Sequence, residues 1–432
     1  MSLYHGKAAH ERETSLPVHR RIIPDHVNIA LHDLVNKAKE GLLALSVSVG
    51  IQVLMAMIAE EVHSIAGPKG KHDPHRKAFR HGYERCTVIL GGRKIAIKRP
   101  RVRTKGGVEV VLETLGLFQQ EDLLHESVLE RMLHGLSTRD YVHGLEACGQ
   151  EERTMGISKS AVSRRFILAT RRELEKLLDR PLKDLDILVV YIDGVVLGEH
   201  TITVALGVDG RGKKHILGLA EGATENAAVC KGLLENLAER GLTADSGLLV
   251  VIDGSKALRK AVKDVFGKRV LVQRCRVHKK RNVLEHLPEK KQQEVARKLD
   301  AAWREKDYDT ARRKLEELAE ELERDHPGAA KSLREGLEET MTVNRLHLPE
   351  ILERSLRSTN VMESVFDAVG VVTRRVKRWR NGDQVQRWVG AGLLKAESRL
   401  RRLKGHRELS LLRMALRREL KLDDHVSESK TA

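Results

Sequence analysis

Two aliphatic stretches, each containing an Asp-Gly pair, constrain this chain more than any other feature. Residues 186–196 read Asp-Ile-Leu-Val-Val-Tyr-Ile-Asp-Gly-Val-Val, and residues 248–254 read Leu-Leu-Val-Val-Ile-Asp-Gly. Such continuous apolar runs predict central strands buried on both faces of a sheet. Asp193, inside the first run, needs a partner, a proton or a cation, because an isolated buried charge is costly. Together, Asp193 and Asp253 suggest a shared metal ion.

The elements after Asp193 predict the topology. Three strands, over residues 187–196, 201–208 and 215–220, form a meander, and a helix, the Asp253 strand, a second helix and a short strand follow. The order βββαβαβ belongs to the α/β ribonuclease H-like mixed five-stranded sheet, where the first and fourth strands are neighbours. Asp193 and Asp253 would then meet at one sheet edge.

The net charge and composition limit the classes of partner and the kinds of fold that are compatible with this chain. A net charge of +17 over 432 residues favours a polyanion such as nucleic acid, with ribosomal or membrane-surface binding as alternatives. The four cysteines form no Cys-x-x-Cys pair, which argues against a disulfide framework or a zinc ribbon. No stretch approaches about 20 uninterrupted apolar residues. We therefore expect a cytoplasmic, nucleoid-associated protein without a membrane segment.

The N-terminal part predicts a mainly helical region with a small β-hairpin. Residues 1–25 show no periodicity and are expected to be disordered, whereas residues 26–66 have the spacing of a long helix. From Thr87 the pattern changes to a hairpin with its turn at Gly91-Gly92. The second strand alternates basic and apolar residues between positions 93 and 103, which suits either a phosphate backbone or solvent.

Residues 120–180 are expected to be wholly helical and to contain a helix-turn-helix. A first helix starts near Leu136 with Ser137 as its cap, and a second, over residues 156–166, has Ser158 as its cap. The alternative is an ordinary helical hairpin. If the second helix enters a major groove, the residues placed to contact DNA are Ser160, Arg164 and Arg165.

Residues 282–356 are rich in charge and have amphipathic helical spacing, which predicts an all-helical insertion, with a coiled-coil stalk as the alternative. Trp303 lies near its start. A tryptophan of this kind is usually a core residue, although an exposed one in a DNA-processing enzyme can stack on an unpaired base.

Glu363 begins a further helix and has two interpretations. Asn360 followed by Glu363 matches a capping box, in which the glutamate serves only the helix end. With Asp193 and Asp253 it would instead form a set of three oxygen ligands able to hold two Mg²⁺ or Mn²⁺ ions across a scissile phosphodiester. We favour the metal site because all three carboxylates begin or end elements that this fold gathers at one edge.

The segment that follows, residues 371–420, is strongly basic. A solvated helix face is the ordinary fate of such a run, but a basic face next to Glu363 would guide DNA across the site. The residues expected to contact DNA here are Arg374, Arg375, Lys377, Arg378 and Arg380.

Four motifs together resemble transposases of the IS256/Mutator type, over about residues 85–415. They are Tyr191-Ile192-Asp193-Gly194, Val251-Ile252-Asp253-Gly254, residues 273–282 with Cys275 and His278, and residues 357–364 with Glu363. The resemblance implies a DDE ribonuclease H-like domain with Asp193, Asp253 and Glu363 as catalytic residues. It also implies a helical insertion before Glu363, binding of terminal inverted repeats, and transposition through an excised circle.

The motif around His278 carries further expectations. Cys275 and His278 match the family's C/D-x-x-H motif; His278 is interpreted as a catalytic helper that positions DNA or a phosphate oxygen, and Cys275 as a small buried hydrophobe. The basic residues Lys279, Lys280 and Arg281 are expected to contact DNA. Many relatives carry basic residues just after the first aspartate, whereas this chain has Val195 to Glu199 there.

The sequence therefore predicts a magnesium- or manganese-dependent transposase with two ions per active site. It would act as a homodimer on double-stranded DNA, both transposon ends and target. The alternatives are a domesticated, non-catalytic DNA-binding regulator, or a metal-dependent nuclease or resolvase. The predicted regions are residues 1–84 (helical), 85–180 (hairpin and DNA binding), 181–281 with 357–390 (catalytic), 282–356 (insertion) and 391–432 (basic helical tail).

Overall fold

The computed structural model describes residues 47–71, 76–145, 154–155 and 157–422, which belong to two compact units. The first unit comprises Met1–Gln120 with His143–Met155, and the second comprises Glu121–Val142 with Gly156–Ala432. The predicted disorder of residues 1–25 lies outside the described residues. The finer division into five regions stays a prediction.

The first unit combines a helix with a β-hairpin. Helix α1 (Val47–Ala66) is followed by β1 (Ala78–Leu90) and β2 (Arg93–Thr104), which pair antiparallel. Gly91 and Gly92 form the predicted turn with φ of 58° and 77°, as a two-residue hairpin loop with positive φ at both positions requires. Helix α2 (Glu113–Gln119) follows, and β3 (Thr154–Met155) pairs with β2.

Helix α1 is the core helix of the first unit. Its length and composition alone would allow it to cross a membrane. However, Leu54, Ile58 and Val62 repeat every four residues and are buried against hairpin residues that include Val88 and Ile95. This stripe is the pattern of an amphipathic helix packed on a sheet.

The second strand of the hairpin is not a free cationic face. Arg93 is buried, and the guanidinium groups of Arg99 and Arg101 form ion pairs with Glu84 and Glu109 at 2.8 Å and 2.5 Å respectively. These carboxylates compensate much of the positive charge. A phosphate-binding role for this strand therefore loses its main support.

The second unit begins with helices α3 (Glu121–Leu133) and α4 (Lys159–Asp179). Ser158 caps α4 as predicted, since its Oγ accepts a hydrogen bond from the Ala161 amide. The predicted first helix of the helix-turn-helix is not formed over its described part. Residues 138–144 make successive turns, because the Ser137 hydroxyl binds nearby amides without a regular helix following. The expectation that residues 120–180 are wholly helical is also wrong, because β3 lies among them.

A five-stranded mixed sheet forms the centre of the second unit. Its strands in chain order are β4 (Ile187–Leu197), β5 (His200–Asp209), β6 (Lys214–Glu221), β7 (Leu248–Ile252) and β8 (Val270–Arg274). The spatial order is β6-β5-β4-β7-β8, with β4, β7 and β8 parallel and the first three strands an antiparallel meander. The first and fourth strands are therefore neighbours, as predicted. The ribonuclease H-like assignment stays a prediction.

Both faces of this sheet are covered, which explains the continuous apolar runs. Along β4, Val189 and Tyr191 point into one hydrophobic cluster, and Val190 and Ile192 into the other. Helices α5 (Ala227–Glu239) and α6 (Lys256–Phe266) contribute to the second cluster. Along β4 the buried residues end at Ile192, and partial exposure begins at Asp193.

The rest of the described chain is mainly helical. After α7 (Arg276–Leu284), the predicted insertion contains α8 (Glu289–Arg304), α9 (Tyr308–Asp325), α10 (Pro327–Arg334), α11 (Leu337–Thr340), α12 (Thr342–Arg345) and α13 (Glu350–Leu356). Many of these helices share a separate hydrophobic cluster that includes Trp303. A 3₁₀ turn, Thr359–Met362, leads to α14 (Glu363–Thr373), α15 (Gly382–Glu397) and α16 (Leu409–Glu419).

Candidate active site

Strand register brings Asp193 and Asp253 to the same edge of the sheet. Ile192 of β4 is the parallel partner of Ile252 of β7, and each aspartate is the next residue in its chain. Neighbouring strands lie about 4.8 Å apart. The two carboxylates are close enough that the charge of Asp253 raises the pKa of Asp193. The two aspartates therefore meet as predicted. Asp253 directly follows β7, whereas Asp193 lies within β4, at the point where its pairing with β7 stops and its pairing with β5 continues.

Each aspartate is held by hydrogen bonds from its surroundings. Asp193 accepts from its neighbour, the Gly194 amide, at 2.8 Å. Asp253 accepts from the Ser255 amide at 2.9 Å and from the Thr224 hydroxyl at 2.7 Å. Because these donors bind the ionised form, both carboxylates are positioned before any ligand arrives.

Burial is the main influence on the ionisation of Asp193. It raises the pKa of this carboxyl above its ordinary value, and the negative charge of Asp253 acts in the same direction. The Thr359 hydroxyl, the charge of His278 and the Gly194 amide oppose the shift without cancelling it. A cation beside Asp193 would relieve both the burial and the repulsion.

Cys275 and His278 are neighbours beside the aspartates, and the buried His278 Nδ1 has no hydrogen-bond partner among the described residues. Cys275 follows β8 and its amide donates to the Ile252 carbonyl at 2.7 Å. Interaction with the Cys275 side chain raises the pKa of His278 despite its partial burial. Burial raises the pKa of the Cys275 thiol, but interactions with His278 and with the Thr359 amide outweigh it, and the net shift is downward. Cys275 is therefore buried, as expected, but it is also a polar partner of His278.

Glu363 is placed differently from the aspartates. It is exposed at the start of α14, and no side-chain hydrogen bond caps this helix, so the capping-box interpretation is wrong. Among the residues that the structure describes, no three His, Cys, Asp or Glu side chains are grouped to hold a metal ion. Glu363 is therefore not gathered with Asp193 and Asp253 here.

The donor set at the sheet edge suits a hard divalent cation in part. Asp193 and Asp253 supply carboxylate oxygens, which Mg²⁺ and Mn²⁺ prefer. Their like charges and the raised pKa of Asp193 favour cation binding between them. Two of the three expected ligands thus fit, and Glu363 would have to join them.

Two of the three groups of residues expected to contact DNA are largely exposed. Ser160 and Arg164 are exposed near the start of α4, and Arg165 is partly exposed. The residues after α14 form a turn and an extended segment that leads to α15 rather than a continued helical face. Its exposed basic residues are Arg374, Arg375, Lys377, Arg378 and Arg380.

The basic residues of α7 require corrections. Lys279 is fully buried and its ammonium donates to the carbonyls of Ser332 and Glu335, so it is not available to a DNA backbone. Lys280 is partly buried and pairs with Asp300 at 2.9 Å. Of the three residues expected to contact DNA, only Arg281 is exposed.

Trp303 is a core residue. It is buried in the insertion, its Nε1 donates to the Thr340 hydroxyl at 3.3 Å, and the guanidinium of Arg276 lies 6.0 Å from its ring centre. Stacking of a base on this side chain is therefore ruled out in this structure.

Two threonines at the site escaped sequence reasoning. Thr224, between β6 and α5, orients Asp253, and its sequence context gives no signal for that role. Thr359 lies within reach of both Asp193 and Cys275. It belongs to the Arg357-Ser358-Thr359-Asn360 motif, so its place in a recognisable motif was a usable signal.

Most of the chain is similar to known proteins. The transposase of insertion sequence element ISRM5 from Rhizobium meliloti is 27% identical over 368 residues, covering 84% of this chain and 89% of the relative. The IS256 transposase of transposon Tn4001 from Staphylococcus aureus is 24% identical over 336 residues, covering 74% and 81%. The family model described as Transposase, Mutator family matches residues 25–401. This chain therefore belongs to the Mutator family of transposases.

Proposed function

We propose that this chain binds the terminal inverted repeats of its own insertion sequence and catalyses DNA strand cleavage and strand transfer. The observation that carries the proposal is the pair Asp193 and Asp253, oriented by hydrogen bonds where the parallel pairing of β4 with β7 ends. Family membership and the net charge of +17 support DNA as the substrate. A homodimer would present one such site to each transposon end.

In this proposal Asp193 and Asp253 hold Mg²⁺ or Mn²⁺, and Glu363 completes the ligand set from the first turn of α14. A bound divalent ion supplies a Lewis acid for the phosphate and a deprotonated nucleophile, either water or a 3′-hydroxyl. Thr224 keeps Asp253 oriented, and Thr359 lies close enough to Asp193 to lower its pKa. These contacts hold both carboxylates ready for the reaction.

His278 acts beside the metal ligands rather than among them. Its raised pKa favours the protonated imidazolium, and its charge lies next to Asp193. We propose that it positions a phosphate oxygen of the DNA and partly offsets the charge of the carboxylates. The protonated His278 ring beside Cys275 can play this role without a zinc ion.

The test uses the full chain and labelled duplex DNA carrying the ends of its element. With Mg²⁺ or Mn²⁺ we expect nicks at the element boundary and joined products, including any excised circle; with EDTA we expect none. Asp253→Asn should abolish cleavage, whereas Asp264→Asn, a change of an exposed carboxylate on α6, should leave it intact.

Binding without cleavage under every divalent ion would instead support a DNA-binding regulator. Metal-dependent cleavage of any duplex, regardless of its ends, would support a general nuclease. A protein that cuts its ends equally well in EDTA would contradict the metal-dependent mechanism.

A further inference from the structure

A cavity of about 740 Å³ lies between α4, the segment that joins α14 to α15, and α15 itself. Phe166 of α4 and Trp388 of α15 form its aromatic wall, with ring centres 4.7 Å apart and planes tilted by 51°. Phe166 is buried, whereas Trp388 is only partly buried. The Trp388 ring can therefore offer a surface to a ligand.

The rim of this cavity is strongly basic. Its lining contains one acidic residue, Asp383, and six basic ones: Lys159, Arg171, Arg375, Arg378, Arg380 and Arg387. Asp383 is shared by Arg387 at 2.9 Å and Arg171 at 3.6 Å. Within the described part of the chain, the side chains of Lys159, Arg378 and Arg380 form no ion pair. These three cations are free to bind an anion.

The remaining basic residues give the cavity a fixed shape. Arg387 is buried, with its guanidinium donating to Asp383 and to the Thr170 hydroxyl at 3.0 Å. Arg375 donates to the Gly135 carbonyl across the opening. Side chains held in this way change little on binding, which lowers the entropic cost of binding a ligand.

An aromatic wall inside a basic rim fits a nucleotide better than a bare phosphate. A volume within roughly 300–1,000 Å³ is typical of small-ligand sites. Stacking on Trp388 requires the face of a base, which is covered in duplex DNA and becomes available only when the base is unpaired or turned out of the helix. The unpaired phosphate ligands Arg378 and Arg380 would hold the adjoining backbone.

We infer that this cavity binds an unpaired nucleotide of the DNA substrate, with its base against Trp388 and its phosphates at Arg378 and Arg380. The inference rests on the proposed function, because it assigns part of the same DNA. Helix α14 separates Glu363 from the cavity and, at about 1.5 Å per residue, spans on the order of 15 Å.

The test measures fluorescence anisotropy of the full chain, without divalent ions, with three probes of about ten nucleotides, a length within known single-strand site sizes. The probes are a labelled single strand, the same strand with abasic sites, and the same strand paired in a duplex. Trp388→Ala should weaken binding of the base-containing single strand by ~10-fold, the scale of one base-stacking contact, and leave the other two unchanged. Trp388→Phe should restore most of the binding.

A second pair of variants distinguishes contacts to the base from contacts to the phosphates. Arg378→Ala should weaken the base-containing and abasic strands alike, because both carry phosphates. Arg401→Ala removes an exposed arginine that does not line the cavity and should have little effect on any probe.

Three outcomes would overturn the inference: wild-type protein that binds the abasic strand as tightly as the normal one, Trp388→Ala that loses nothing, or Trp388→Ala that weakens all three probes equally. Cleavage of transposon ends by the wild-type protein is a separate measurement. If cleavage occurs while the probes fail, only the nucleotide site is wrong. If the probes succeed and cleavage never occurs, the proposed transposition reaction is wrong.

Discussion

The two aspartates and the glutamate differ in how the fold prepares them. Asp193 and Asp253 are partly buried where the parallel pairing of β4 with β7 ends, and both accept hydrogen bonds from fixed donors. Glu363 is exposed at the first turn of α14, outside any group of metal-binding side chains among the described residues. Two proposed ligands are thus preorganised, whereas the third is free.

This difference shows which of the proposed metal ligands the fold holds rigidly. A parallel pair of buried strands fixes the spacing of its end residues, whatever their chemistry. A side chain at an exposed helix start is restrained only by its rotamers. We therefore expect Asp193 and Asp253 to define the site and Glu363 to join it when metal and DNA are bound.

The largest expected effect tests the fixed pair. Asp193→Asn keeps the shape of the side chain but removes an anionic ligand, so cleavage and strand transfer should fall by at least ~10³-fold, the scale of a lost preorganised stabiliser. Affinity for the transposon ends should stay within a few-fold, because basic residues elsewhere supply most of it. Gel-shift and cleavage assays on the same DNA would measure both, and an Asp193→Asn protein that still cuts would move the active site elsewhere.

A smaller effect is expected from a residue that only orients the pair. Thr359→Val preserves volume but removes a hydroxyl that lowers the pKa of Asp193. The pKa of Asp193 should rise further, so the acidic limb of the cleavage–pH profile should move to higher pH. Losing one such hydrogen bond should reduce cleavage at neutral pH by ~10-fold, equivalent to about 1.4 kcal/mol.

Thr359→Ser, which keeps the hydroxyl, is the matched control and should restore the wild-type profile. Equal loss of cleavage at every pH in Thr359→Val, without a shift of the acidic limb, would show that Thr359 acts through packing and not through Asp193.

Sequence alone predicted the sheet because its signals are local and repeated. The apolar runs around Ile192 and Ile252 favoured strands covered on both faces, and Gly254 marked the end of the second one, whereas β4 continues past Gly194 to Leu197. The strand order then followed from the sequence of elements. The meeting of Asp193 and Asp253 is a direct consequence of that order.

The failures have one physical cause, which is that tertiary contacts decide the fate of an isolated polar residue. Lys279 lies in a basic sequence segment that suits DNA binding. In the fold, however, its ammonium donates hydrogen bonds to the backbone carbonyls of Ser332 and Glu335. Ser137 has the context of a helix cap, and its hydroxyl does bind the predicted kind of amides, yet the turns do not continue as a helix. The position of Glu363 likewise depends on rotamers that no sequence pattern specifies.

The smallest expected effect is on the stability of the metal-free protein. It directly tests the difference between the partly buried aspartates and the exposed Glu363. Because the pKa of Asp193 is raised by folding, its ionisation destabilises the folded state as pH rises from the ordinary value of 3.8 through the raised one. Asp193→Asn lacks this penalty, so in EDTA it should unfold at higher urea concentration than wild type near pH 7, with the advantage disappearing below the ordinary pKa. Glu363→Gln removes an exposed charge and should change the free energy of unfolding by less than ~0.5 kcal/mol. Equal stabilisation by the two variants would mean that Glu363 also feels the charges of the aspartates, and that the three carboxylates converge before any metal binds.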